Sequence, residues 1–450
     1  LLSRLPGPGE ISPRAGAARA LEAMGVPGRP WDKAGEALLK PSKIVVDGIA
    51  GTGLSGPLRG VPLGMAEALN RARENAGAEG GAGPGAGEGA PGERLLVVSV
   101  DVPSGICDAF RPPWPVVVAD AVLALEPAKL ALYKPAARCF AGAVLPVGGI
   151  FPPALVEKYC GAELIGWGGV RNLIPAVAPD ACKYDRGVAE IRAGSAGSAG
   201  AARIAAAGAQ AAGAGLVRLA VDAALYPVLA ASSGGVMVFE AGSAADDSGR
   251  FRPDAVLLGP GWGRNAGRKE TLEAALRREG EGTPLVLDAD AIALAKGRVF
   301  SGSTILTPHP GELANFAGVS KEELAGDPLS ILKDAAGKAN AVILFKTAVL
   351  IIAGPGDSGR RLAVIDGMAP ALGAGGSGDL LAGLCAGIAA RMRARSLRGG
   401  PEPPADVFSC AAVAAALLIA AAKGPASRRF ADPLDLARTA AALAGDAWLP

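Results

Sequence analysis

Short apolar runs recur along this chain, and each hands over to a glycine, a proline or a charged residue. In the first half they are Lys43–Val46, Leu95–Val100, Ala119–Leu125 and Ala143–Val147. In the second they are Val188–Ile191, Leu216–Val221, Asp254–Leu258, Pro284–Leu287, Thr304–Leu306 and Ala341–Phe345. Runs this short, bounded by turn residues, read as strands of a parallel sheet. Helical stretches separate many of them: residues 14–24, Leu63–Glu74 and the alanine-rich Ala201–Ala212. The alternation predicts a doubly wound α/β architecture whose ligand loops all emerge at the carboxyl edge of the strands.

The chain has 450 residues, more than one ordinary domain holds, and the proline pair Pro152-Pro153 closes a first series of elements. Half of the residues are hydrophobic and the formal net charge is only +2. No basic face or charge block is visible, so neither a nucleic-acid nor a membrane-surface partner is expected. The six cysteines show no metal-ligand spacing and read as reduced thiols. The opening residues carry no signal-peptide pattern, and Ala411–Ala422 is too short to span a bilayer and reads as a buried helix. A cytoplasmic location is expected. Residues 76–93, AGAEGGAGPGAGEGAPGE, are low-complexity and read as a disordered surface loop.

Chemistry concentrates in a few loops. In Ala371–Ala390, ALGAGGSGDLLAGLCAGIAA, glycines crowd around Asp379 before an apolar run that reads as a helix. Glycine lets backbone N–H groups approach a ligand, and a helix N-terminus favours an anion such as phosphate. A carboxylate beside a phosphate suits a base that takes the proton of an attacking hydroxyl. The plainer alternative is a turn with an N-capping Asp. His309 is the chain's one histidine, which leaves no Ser-His-Asp triad or histidine metal cluster. Its flanking prolines suit a ring held against a ligand, or a surface turn. Asp288 and Asp290 at a strand end suit a hydroxyl-rich ligand, Mg²⁺ through water, or an Asx-turn and helix cap. Lys346, directly after a strand, suits a phosphate partner or a charged strand end. In the first half, Gly51, Gly53 and Gly56 form a G-x-G-x-x-G after a strand, but Pro57–Pro62 delays the helix that a dehydrogenase fingerprint needs at once.

Gly259–Arg264 (GPGWGR), Asp288–Ala291 (DADA), Thr307–Glu312 (TPHPGE) and Gly375–Asp379 (GGSGD) resemble, in order, the motifs of the ribokinase-like NAD(P)H-hydrate dehydratases. Asp47–Gly60 (DGIAGTGLSGPLRG), Ser99–Gly105 (SVDVPSG), Ala119–Lys129 (ADAVLALEPAK) and Gly142–Ile150 (GAVLPVGGI) are similar to the NAD(P)H-hydrate epimerases. The chain as a whole resembles the bifunctional NAD(P)H-hydrate repair enzymes. The resemblance implies an incomplete Rossmann-like three-layer αβα epimerase domain over residues 1–158. The epimerases' upstream Gly-Asn-Asn-Gly-Gly-Asp-Gly loop is not found in it. A ribokinase-like αβα dehydratase domain over residues 163–450 follows.

The implied activity is repair of hydrated NADH and NADPH. One domain interconverts the R and S hydrates. The other phosphorylates the hydroxyl of the S form with ADP or ATP and eliminates phosphate. The implied catalytic residue is Asp379, with Ala214, Gly263, His309 and Asp379 on the hydrate. Lys346, Thr347, Ala348, Val349, Leu350 and Gly378 would hold the nucleotide. In the epimerase domain Gly51, Thr52, Gly53, Leu54, Ser55, Gly56, Pro57 and Asp101 would contact the hydrate, and Asp47 and Ser104 a potassium ion. Mg²⁺ with the nucleotide, K⁺ in the epimerase domain and a homo-oligomer are the implied cofactors and assembly. Three departures are visible: Cys182-Lys183 stands for the usual His-Lys, Lys346-Thr347 for Lys-Gly, and Asp366-Gly367 for Gly-Asn. A ribokinase-like small-molecule kinase and a non-catalytic nucleotide-binding protein are the alternatives.

Overall fold

The computed structural model describes residues 13–40, 42–79, 95–244, 246, 252–265, 267–355, 361–398, 406–424 and 431–446. The chain divides into two compact units, Leu1–Cys160 and Gly161–Pro450. The first carries a parallel four-stranded sheet in the order β1 (Ile44–Asp47), β2 (Leu96–Val100), β3 (Ala121–Leu125), β4 (Ala143–Val147). Side chains alternate between faces along a strand. Val97, Ser99, Val122 and Ala124 are buried, whereas Ile44, Val46, Leu96, Val100 and Leu145 remain exposed. Among the described residues this unit therefore buries one face of its sheet more fully than the other.

The helix Gly60–Glu79 starts earlier and runs further than the sequence reading placed it. Gly60 enters it at φ +57, so the helix begins three residues after Pro57 and not directly after Gly56, as a dehydrogenase fingerprint would need. It is tied to the approach to β3: Asn70 Nδ2 donates to Val116 O at 2.8 Å, and Arg73 pairs with Asp120 at 2.7 Å. Most of the low-complexity stretch falls outside the described residues, and its first residues continue this helix.

The second unit is built on a ten-stranded sheet. Its strands are β5 (Glu163–Leu164), β6 (Val188–Arg192), β7 (Leu216–Val221), β8 (Met237–Glu240), β9 (Ala255–Leu258), β10 (Leu285–Leu287), β11 (Thr304–Leu306), β12 (Val342–Phe345), β13 (Leu350–Ala353) and β14 (Leu362–Ile365). The order is β5-β14-β13-β12-β11-β10-β9-β6-β7-β8. Pairing is parallel except where β13 runs against β12 and β14. The strands β7, β9 to β14 are buried at every position, which is the mark of a sheet covered on both faces.

The helix Ser377–Leu397 lies against β6, β9 and β10, and Val407–Lys423 against β11 to β14. The latter is the buried apolar helix expected from the sequence. No helix among the described residues is long and apolar enough to cross a membrane. The helix Ala199–Ala211 crosses Ser377–Leu397 at backbone distance: a Cβ on Gly383 would stand 2.1 Å from Ala205 O, and one on Gly208 2.5 Å from Leu380 O. Small residues thus set the depth at which Ser377–Leu397 sits, and with it the position of Asp379.

Candidate active site

The loops at the carboxyl ends of β9 to β12 converge on the N-terminus of Ser377–Leu397. Gly376 caps that helix at φ +94, a conformation that an L side chain rarely adopts. Asp379 follows in the first turn. Lys346, the residue after β12, extends its Nζ to 2.6 Å from Asp288 Oδ1, at the end of β10. Thr307, after β11, donates its hydroxyl to the same oxygen at 2.7 Å. Asp288 is 2% exposed. The preceding glycine loop packs on it so closely that a Cβ on Gly259 would meet Asp288 O at 1.8 Å. Asp288 Oδ1 is therefore held by a hydroxyl and an ammonium of the protein. Asp290 opens the next short helix and accepts from Gly263 N at 2.9 Å and Arg264 Nε at 3.1 Å.

Two carboxylates and an ammonium act on Asp379. Burial first, then the negative charge of Asp288, pushes its pKa up to about 6, with Glu312 adding and Lys346 opposing. Burial pulls the Lys346 amine down, but Asp288, Glu312 and Asp379 outweigh it, so its pKa stands above the usual value. A base near neutrality beside a fixed cation, at a helix N-terminus, can accept a hydroxyl proton while a phosphate is bound.

A cavity of about 460 Å³ opens beside this group. Lys346, Thr347, Ala348 and Leu350 line it on one side, Ser377 and Gly378 on another. Met368, Pro370, Leu418 and Ile419 give it an apolar wall. It joins the helix start at Ser377 and Gly378 to an apolar wall. Those four wall residues carry no sequence signal: Met368 lies in a loop, Pro370 opens the short 3₁₀ helix Pro370–Gly373, and two lie inside the buried Val407–Lys423 helix. Val349 faces away. It is fully buried, and its N–H donates to Thr347 Oγ1 at 3.3 Å.

His309 is the N-cap of the helix Pro310–Ala317. Its Nδ1 accepts from Gly311 N at 3.0 Å and Glu312 N at 3.3 Å, and Glu312 returns a bond to His309 N at 2.9 Å. Because Nδ1 is an acceptor, the neutral ring carries its proton on Nε2. The side chain is 57% exposed, and it presents that edge to solvent beside Glu312. Gly263 (φ +72) lies next to Ser195, whose Oγ donates to Gly261 O at 2.9 Å.

The loop after β6, residues 193–198, thus joins the same edge, although the sequence reading took it only as a break after a strand. Ala214 does not. It precedes β7 at the opposite edge of the sheet, where a Cβ on its neighbour Gly213 would meet Arg391. Arg391 lies twelve residues beyond Asp379 on the same helix, about 18 Å at 1.5 Å per residue. The expected contact of Ala214 with the hydrate is therefore dropped.

In the first unit Asp47 ends β1 and is buried. Its carboxylate accepts from Ser99 Oγ at 2.7 Å, Ser104 N at 2.9 Å, Ser104 Oγ at 2.5 Å and Ile49 N at 3.2 Å. Asp101, after β2, holds φ +67 and pairs with Lys129 at 2.9 Å. The loop from Gly51 to Pro57 follows β1 at the same edge, and a Cβ on Gly51, Gly53 or Gly56 would meet nothing within 4 Å. Internal packing therefore does not require these glycines.

Residues 189–442 match the family described as NAD(P)H-hydrate dehydratase, and residues 14–131 match the YjeF-related protein N-terminus. The bifunctional NAD(P)H-hydrate repair enzyme of Coxiella burnetii is 30% identical over 382 residues, covering 84% of this chain and 72% of that protein. The ADP-dependent (S)-NAD(P)H-hydrate dehydratase of Xanthomonas campestris is 35% identical over 229 residues, 48% of this chain and 77% of that one. In fold, the chain is similar to the Bacillus subtilis ADP/ATP-dependent NAD(P)H-hydrate dehydratase co-crystallised with ATP and Mg²⁺. That likeness has a TM-score of 0.54 at 24% identity, over 63% of this chain and 97% of the other. A ribokinase-like α/β unit with an acid at its glycine-led helix start, preceded by a parallel-sheet unit with its own acid-lined loops, places this chain in the family of bifunctional NAD(P)H-hydrate repair enzymes.

Proposed function

We propose that the second unit, residues 163–450, dehydrates the S form of hydrated NADH or NADPH at the expense of ADP or ATP. The observation that carries this reading is Asp379, a carboxyl with a pKa near 6 in the first turn of a glycine-led helix, beside Lys346 and the 460 Å³ cavity. The hydrate's hydroxyl oxygen attacks the terminal phosphorus of the nucleotide and its proton passes to Asp379. The shorter nucleotide leaves, and the phosphate then leaves the ring with the electrons of its C–O bond. Loss of the neighbouring C–H proton restores the double bond.

Lys346, Thr347, Ala348, Leu350 and Gly378 hold the nucleotide, and Gly263 and His309 approach the hydrate. In this reading Mg²⁺ arrives bound to the phosphates of the nucleotide. Bound there, Mg²⁺ would neutralise charge on the transferring group.

The first unit, residues 1–158, is read as the epimerase that interconverts the two hydrates. Gly51 to Pro57 and Asp101 hold the substrate. Asp47 and Ser104, whose oxygens are adjacent, are the pair for a potassium ion. Cytoplasmic residence and homo-oligomeric assembly follow from the resemblance.

The test is recovery of reduced-nicotinamide absorbance from chemically hydrated NADH with Mg²⁺ and either nucleotide. Recovery that requires nucleotide supports the dehydratase. Recovery that stops at the S fraction counts against the epimerase. Nucleotide consumption with a stable phosphorylated product would favour a small-molecule kinase.

A further inference from the structure

We propose that Asp288 is a positioning residue of this site: its buried carboxylate clamps the Lys346 ammonium over Gly378 and stands as the fixed negative neighbour of Asp379. The inference rests on the dehydratase reading and adds to it a residue whose sequence neighbourhood suggested a metal or a cap.

The geometry is specific. Lys346 is a long, flexible side chain that a charged partner must hold if it is to serve one place. Asp288 Oδ1 holds it at 2.6 Å, and that oxygen is itself fixed by Thr307 Oγ1 at 2.7 Å. The ammonium lies so close to the helix start that a Cβ on Gly378 would stand 3.2 Å from it. The charged groups acting on Asp379 come from three elements: Asp288 after β10, Glu312 on Pro310–Ala317 and Lys346 after β12. Of the two acids, Glu312 is the more exposed and is engaged in the helix cap, with its side chain at 20%. Asp288 is sealed from solvent, where a neighbouring charge is least screened. One carboxylate therefore both places the cation that meets the phosphate and sustains the proton affinity of the base.

The test compares Asp288→Asn, which keeps the shape and an acceptor oxygen, with Lys346→Met in the full chain. The acid limb of kcat against pH reports Asp379. Removing the negative neighbour is expected to move that limb down by about one pH unit, and removing the positive neighbour to move it up by a similar amount. The same titration is followed without turnover by carbon NMR of labelled aspartates, with Asp379→Asn giving the assignment.

Opposite shifts in the two variants support the proposal, and a structural ion pair alone would produce neither. An unchanged Asp379 titration in either folded variant overturns it. If Asp288→Asn does not fold, Asp288→Ser, which also removes the charge, takes its place with the same downward shift expected. If the wild-type chain shows no nucleotide-dependent turnover, the dehydratase reading fails, while the NMR titration still decides the role of Asp288.

Discussion

A helix N-terminus favours an ionised carboxylate, yet Asp379 holds its proton up to about pH 6 because burial and Asp288 outweigh that effect. The base works only when ionised, so kcat should fall as pH drops through about 6 and level off above 7. A pH profile checks this. Asp379→Asn should lower kcat by roughly 10²–10⁴-fold while hydrate affinity, read by calorimetry, changes little. Equal turnover in the variant would remove Asp379 from its role.

A raised carboxylate pKa also bears on stability. The folded state binds the proton more tightly than the unfolded one, so ionisation above pH 6 is destabilising, and the penalty disappears below the ordinary carboxylate range. Asp379→Asn should therefore be more stable than wild type at pH 8 by about 1–3 kcal/mol, with the difference gone at pH ~3. Gly378→Ala tests the cradle instead. Its Cβ would crowd Lys346, and nucleotide affinity should fall about tenfold, roughly 1.4 kcal/mol, with the thermal midpoint unchanged.

The elements matter through how closely they approach. Ser377–Leu397 meets Ala199–Ala211 at Gly208, Gly383 and Gly387, where Cβ atoms would strike backbone. Gly383→Ala should cost about 1–3 kcal/mol by overpacking, lower the thermal midpoint by several degrees, and reduce kcat by shifting the turn that carries Asp379. A variant with native kcat and midpoint would show that the crossing can relax. The strands the sequence reading missed are instructive too. β5 and β8 are short and partly exposed, and β13 and β14 form an antiparallel return after Lys346. No local signal separates a strand from a cavity-lining stretch when both are apolar, and Leu350 belongs to both.

At the scale of the molecule, the second unit closes its own core, with β7 and β9 to β14 buried at every position and helices against its sheet. Residues 161–450 expressed alone should fold and keep nucleotide-dependent dehydration of the S hydrate, measured by the same absorbance recovery. Failure to fold would show that this core needs the first unit.

The sequence alone determined the alternating parallel architecture, because short apolar runs ending in turn residues have few other ways to bury themselves. It also marked Asp379, Lys346 and His309, because rare polar residues at strand and helix ends stand out against an apolar background. Only the tertiary structure decided which of them meet. It seated Lys346 on Asp288, made His309 a helix cap, turned Val349 inward and left Ala214 at the far edge of the sheet. Those outcomes depend on strand order and on how near two backbones come, and both are set by contacts between residues far apart in the chain.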